Sequence, residues 1–311
     1  MIRSTRKNLR FALLGTVSAV AFGALASGAQ AQIAVVCNSD FSNDFSCGVP
    51  PGTQAGGGGS TAVGDRATAI DPNSTAFGDS TLAEANSTAI GAQAGVGPNG
   101  VAVGFNASGI GTGLTAIGAN AGAFSAAAGN ATAVGFSAIA GTDNGTGTPG
   151  TTAIGANAQA GSTGSGQTNA TAIGDHAQAN ATSATAIGQG ASANATNGTA
   201  IGQSALASNT GTTALGQGAQ AGATGAGETN ATAIGQSAHA NQANATAVGQ
   251  GATAAINATA IGQGAFANSA STSLGQNAQA GWGRFCCDRN RVAGELKLFD
   301  GGRRGHTRQF Q

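Results

Sequence analysis

"GDHAQANATSATAIGQGASANATNGTAIGQSALASNTGTTALGQGAQA", residues 174–221, says nearly one phrase three times. Thr-Ala-Ile-Gly stands at 185–188 and 199–202, and Thr-Ala-Leu-Gly at 213–216, fourteen residues apart each time. Aligned on the glycine that closes the phrase, the chain holds fifteen copies, from Gly64 to Gly275, at steps of 13 to 20 residues. Self-similarity at a fixed short period is the mark of a stacked repeat architecture. The residue before each anchor glycine is Ile, Val, Leu or Phe. The residue two before is Ala except at Ser273, and three before is Thr except at Val101. Three after the anchor stands Ala except at Thr81, and five after stands Ala except at Val96 and Gly109.

Both stretches alternate with period two, which is strand periodicity. In Thr-Ala-Ile-Gly, Thr and the apolar residue share one face, and Ala and Gly the other. In Ala-x-Ala the alanines turn inward and the central residue outward. Each phrase is therefore two short strands joined by turns, with Gly, Asn and Ser in the gaps because they tolerate positive φ. The extra residues of the long steps all lie between the second Ala and the next Thr-Ala phrase, as in "GSTGSGQTN" at 161–169 and "GATGAGETN" at 222–230. Stacked coils allow insertions at one corner without disturbing the ladder. The expected fold is an all-β parallel solenoid of about fifteen rungs, roughly 70 Å long at ~4.8 Å per rung. A core of one Ile or Val per rung against alanines buries little area. Packing several rods through their apolar faces is the expected remedy.

Composition excludes ordinary globular chemistry. Of 311 residues 54 are Gly, 8% are charged, 4% are aromatic and none is Tyr. The net charge of zero hides three regions. Residues 1–30 carry four bases and no acid, 31–281 carry one base and nine acids, and 282–311 carry seven bases and three acids. The long middle has no basic stripe to follow a phosphate backbone, so no nucleic-acid partner is expected. Residues 1–31 read as a signal peptide: "MIRSTRKNLR", an apolar run, then Ala29-Gln30-Ala31, with cleavage between Ala31 and Gln32. A membrane anchor is the competing reading of that apolar run. Residues 32–60 form a short segment in which Cys37 and Cys47 are disulfide candidates, and 61–281 hold the repeats.

No catalytic, cofactor or metal site is expected. "GVGPNG" at 95–100 fits G-x-G-x-x-G but lacks a βαβ setting. His176 and His239 fall at different repeat positions, and the acids form no recurring pair. Twelve Asn-x-Ser/Thr sequons read as turn Asn before strand Thr, ahead of glycosylation.

"NSTAIG" at 86–91 and "NATAIG" at 169–174 and 230–235 closely resemble the head repeat of trimeric autotransporter adhesins, the YadA-like heads. The resemblance covers residues 61–280. It implies a left-handed parallel β-roll, a homotrimer packed about one axis, and a non-enzymatic head that binds host extracellular matrix or other surfaces. The repeat residues that carry it include Ile173, Gly174, Ile187, Gly188, Ile201, Gly202, Ile234, Gly235, Ile261 and Gly262. The outward residues four after the anchor are the ligand-facing candidates: Gln178, Ser192, Leu206, Gln220, His239 and Phe266. Thr stands here where the family motif has Val, which places a hydroxyl row beside the apolar one. The resemblance also implies the cell surface or outer membrane of a Gram-negative bacterium, or secretion where no anchor follows. The family's stalk and barrel anchor are not found after the head. Residues 282–311, opening "WGRFCCDRNR", read as a frameshifted or truncated end of a longer gene, with a short basic tail as the alternative. An inactive fragment of an adhesin, an ice-binding or purely structural solenoid and a hexapeptide-repeat type of acyltransferase are the competing functions. A period other than six argues against the last.

Overall fold

The computed structural model describes residues 36–39, 45–48, 52–56, 58–69, 71–125, 129–142, 149–164, 166–281 and 285–287. Among these residues every regular element is a strand of two to four residues, and none is a helix. Each phrase is one coil. Its Thr-Ala-apolar triplet is a three-residue strand, as in Thr171–Ile173 and Thr185–Ile187. Four residues further on, a two-residue strand such as Gln178–Ala179 or Ser192–Ala193 runs along the other wall. The triplets stack into a first sheet of eighteen strands and the pairs into a second of sixteen. Parallel neighbours need a crossover. Here the crossover of each sheet is a strand of the other sheet with a turn on either side.

Stacking is column upon column. Thr171, Thr185 and Thr199 lie in one column, and Ile173, Ile187 and Ile201 in another. The long steps keep this register: Ile117 pairs with Val134 across seventeen residues, and Val134 with Ile154 across twenty. The backbone of the turns joins the ladder too, for example Gly188 N–H to Ile173 O at 2.8 Å and Thr185 N–H to Gly198 O at 2.9 Å. The strands run on past the anchored rungs. Phe45–Gly48 pairs in parallel with Thr61–Val63, and Phe285–Cys287 with Thr272–Leu274. One antiparallel strand, Val36–Ser39, pairs with Phe45–Gly48 at the outer end. An antiparallel partner there covers an edge that would otherwise offer unpaired backbone.

The core corrects the sequence reading. It does not hold one Ile or Val per rung. The inward side chains are alanines, with Ala172, Ala177 and Ala179 of one rung and Ala186, Ala191 and Ala193 of the next all at 0% exposure. The apolar residue of the triplet faces outward, at 36% exposure for Ile173 and 50% for Leu274. A fourth inward position, the residue before the Thr, was not read from the sequence. It is Ala170, Ala184, Ala231 and Ala245 in some rungs, and Ser74, Thr151 and Thr212 in others. In most rungs the residue there stays small, with Leu114 before Thr115 as the large exception. Where a hydroxyl stands there it is bonded locally, as Thr212 Oγ1 donates to Asn209 O at 2.6 Å and Ser74 Oγ to Asp71 O at 2.7 Å. A buried hydroxyl left unpaired would cost about 1–3 kcal/mol.

The anchor glycine is required twice over. Gly188 has φ +127°, and a Cβ there would lie 2.6 Å from the carbonyl oxygen of Gly202 in the next rung. The exceptions in the repeat also make physical sense together. Leu114 is the largest fully buried side chain. A Cβ at Gly109 would meet Val96 Cγ2 at 3.1 Å and Leu114 Cβ at 3.6 Å, and one at Gly100 would meet Val96 Cγ2 at 2.5 Å. Two large residues thus fill the space vacated by two glycines.

Candidate functional site

A solenoid whose core is mostly alanine puts its chemistry outside, in columns. The first outward strip is the face of the first sheet. Its Thr column is half-buried, and its apolar column runs from Val63 to Leu274 with Phe77 at 54%, Ile117 at 40% and Ile261 at 39% exposure. Ile187 and Ile201 are half-buried, and Ile173 and Ile234 are at 36%. Their glycines Gly174, Gly188, Gly202, Gly235 and Gly262 all have φ between +127° and +133° at the exit of this strip. The fifteen side chains leave roughly 1,000 Å² of apolar surface in one line, above the few hundred Å² usual on a monomer.

The second strip is the outward column of the second sheet. It brings the six ligand-facing candidates into one line: Gln178, Ser192, Leu206, Gln220 and His239 pair successively, then Thr253 and Phe266. The first five are half-buried between their neighbours and Phe266 is 43% exposed. Its chemistry is mixed, and Gln220 Oε1 is engaged by Asn241 Nδ2 at 3.1 Å.

The third strip is the turn after the anchor glycine, and sequence reasoning missed it. Seven successive anchors are followed by Gln, from Gln189 to Gln276. Their side chains form an unbroken amide ladder. Gln203 Nε2 donates to Gln189 Oε1 and Gln217 Nε2 to Gln203 Oε1, both at 3.0 Å. The ladder continues through Gln236, Gln250, Gln263 and Gln276 at 2.8–3.1 Å. The Gly-Gln dipeptide recurring at the last seven anchors was the available signal. Towards the N-terminus the same column reads Asp65, Asp79, Ala92, Phe105, Ala119, Phe136, Ala156 and Asp175, with Phe105 54% and Phe136 57% exposed. The next residue of each turn is left-handed, as in Asn106 (φ 52°), Asn120 (φ 56°) and His176 (φ 56°). Arg66 bridges Asp79 at 3.3 Å near the N-terminal end of the ridge.

The fourth strip is the opposite corner, where loops leave. Its left-handed residue is Asn in many rungs, and Asn73 Nδ2 bonds Asn86 Oδ1 at 3.1 Å, as Asn244 does Asn257 at 3.0 Å. The αL turn and the Thr column between them account for sequons such as Asn169-Ala170-Thr171 and Asn230-Ala231-Thr232. The two similar loops are built alike. Thr163 N–H bonds Gln167 Oε1 at 3.3 Å and Thr224 N–H bonds Glu228 Oε2 at 2.9 Å. Each threonine hydroxyl then ties the loop to the next rung, at Asn180 O and Asn241 O.

His176 Nδ1 lies 2.7 Å from Asp175 Oδ1, while His239 stands in the second strip, so the two are not brought together. Among the described residues no three His, Cys, Asp or Glu gather as metal ligands, and no helix is long and apolar enough to cross a membrane. Strand pairing sets Cys37 opposite Cys47, and Cys47 is disulfide-bonded. The cleavage position Ala31–Gln32 and residues 288–311 lie outside the described residues.

The YadA head domain repeat (2 copies) matches residues 55–81, 167–191, 179–205, 193–219 and 226–252. The chain carries YadA head repeats. No curated protein matches it. Between the first two matches, residues 82–166 hold the seventeen- and twenty-residue steps and the Val96–Leu114 exchange, yet these rungs stack in the same columns. The described residues are thus a parallel β-solenoid, segments of which are similar to the YadA head domain repeat.

Proposed function

We propose that this YadA-like head is the binding part of a cell-surface adhesin, three copies of a left-handed coil packed about one axis, exported by residues 1–31 and attaching to host matrix or other surfaces. The observation that carries it is the apolar column of the first sheet. About 1,000 Å² per chain, presented in register and uncharged, approaches what a stable protein interface buries. An alanine core contributes little burial of its own, so covering this face adds stability that the single coil lacks. Three copies then display every outward strip three times, and repetition turns weak contacts into avidity. Cys37 is the proposed partner of Cys47, closing the hairpin at the outer end of the ladder.

Sedimentation equilibrium of purified residues 32–281 tests the assembly, and retention on matrix-coated surfaces tests the adhesion. A folded species of three chain masses that adheres is the expected result. A folded monomer that leaves the Thr and apolar columns open to water refutes the trimer. It favours the ice-binding reading, which a thermal-hysteresis measurement then decides.

A further inference from the structure

We propose that the turn ridge after the anchor glycines is a track for a neutral, extended β-1,4-linked glucan laid along the rod, an inference that rests on the adhesin reading and names its ligand class. The ridge is straight because the turns themselves are laddered: Asn120 N–H bonds Phe105 O at 2.8 Å and Ser137 N–H bonds Ala119 O at 2.9 Å. Its positions are therefore spaced at the rung repeat.

Two features of the ridge suit a sugar chain. Phe105 and Phe136, more than half exposed, stand two rungs apart with Ala119 between them. The ladder spacing puts that separation at ~9.6 Å, close to the length of one fully extended β-1,4-linked disaccharide. The apolar faces of alternate sugars can then lie on successive rings, with the small Ala119 leaving room for the sugar between. Asn106 and Asn120, joined by a 3.1 Å side-chain bond, flank the rings with amide groups.

The glutamine ladder supplies the second feature. A primary amide has two N–H donors and two acceptor lone pairs. The ladder uses one of each, so every interior glutamine keeps one donor and one acceptor, the same pair that a sugar hydroxyl offers. The ladder also fixes the side chains in advance, so a ligand meets an array whose rotamer entropy is already lost. Charge points the same way. The sequence holds no Asp, Glu, Lys or Arg from 85 to 142, from 176 to 227 or from 229 to 281. The charges on the ridge are Arg66, already paired with Asp65 and Asp79, and the acid Asp175 between the rings and the glutamines, so it offers no free cation to a sulfated or phosphorylated polymer. The second-sheet column has no comparable regularity, mixing Leu206, Gln220 and His239.

Affinity electrophoresis of the full chain through gels containing hydroxyethylcellulose tests the proposal. The variants are F105A/F136A and Q217A/Q236A. Both keep the fold available, because Ala119 and Ala156 already occupy this column. The parent is expected to be retarded. The phenylalanine pair should weaken retention by at least about tenfold, as loss of two anchoring aromatics does. The glutamine pair should weaken it several-fold. A folded parent that runs unretarded, or variants retarded like the parent, overturns the track. Variants that lose self-association of rods while the parent shows no retention also overturn it, in favour of a rod-to-rod contact. The same preparations are applied to matrix-coated wells. Adhesion without glucan retention removes this inference alone, and absence of both removes the adhesin reading as well.

Discussion

Replacing Gly188 by Ala separates ladder sterics from ordinary turn preference. Two costs add. At φ +127° an L-residue is strained by about 1–3 kcal/mol. The new methyl would also sit 2.6 Å from the O and 2.7 Å from the C of Gly202 and 3.1 Å from Gln203 N. Those are backbone atoms held by the Gly202 N–H bond to Ile187 O at 2.8 Å, so the rung above must lift. Overpacking of this kind costs about 1–3 kcal/mol more. The expected loss is therefore about 3–5 kcal/mol, concentrated at one interface of a quasi-one-dimensional stack. Gly190, two residues on, is the control. Its φ of +63° is ordinary left-handed backbone, and a Cβ there would find its nearest neighbour, Ser204 Oγ, at 3.8 Å. Gly190→Ala should cost only about 1–2 kcal/mol. Gly190→Asn should be nearly neutral, because Asn106 and Asn120 hold the same conformation in other rungs. Urea unfolding of the three variants measures the order. A Gly188→Ala loss no larger than that of Gly190→Ala would refute the claim that the glycines are held by the rung above.

Other perturbations follow from the same geometry. Leu114→Ala should lose about 2–5 kcal/mol through the cavity it leaves, and adding Gly109→Ala in that background should recover part of the loss in a thermal melt, since the new methyl occupies the emptied space. Ile173→Asp with Ile187→Asp should leave the single coil folded by circular dichroism, because both side chains point outward, but should abolish a three-chain species in sedimentation. Gln250→Ala removes two exposed ladder bonds, and its cost in urea unfolding should stay below ~1 kcal/mol per bond. Ser273→Val should destabilise by about 1–3 kcal/mol in the same assay, because it overfills a site at 0% exposure and frees Ala278 O from its 2.7 Å bond.

The period, the two strands per rung, the single corner for insertions and the inward pair of Ala-x-Ala were all legible, because each is a matter of spacing. The side of the wall taken by Ile187 was not. Alternation tells that Thr185 and Ile187 share a face and Ala186 takes the other, but not which face is inside. That choice is made by volume: four inward positions in a coil this narrow admit little more than a methyl, so Ile goes out and Ala goes in. The position before the Thr escaped notice because Ala184, Thr212 and Ser271 share size and not identity. The glutamine ridge was not legible because it lies in a turn, where residue identity speaks of conformational preference and side-chain register shows only once the rungs are stacked. Val96 and Gly109 looked like separate lapses in the repeat, and only their proximity to each other and to Leu114 in three dimensions makes them one compensating exchange.

The two similar loops sit at the same corner, after anchors 155 and 216, so the stretch from one to the other is 61 residues of whole rungs. Each end of that stretch presents the same columns to its neighbour. A recombination that copied or deleted it would join Ala to Ala, Thr to Thr and glycine to glycine with no new surface to invent. The reach of the head is therefore adjustable in steps of four rungs, about 19 Å each at the ladder spacing. Length would then change like the number of courses in a wall, with the columns still in register across the new joint.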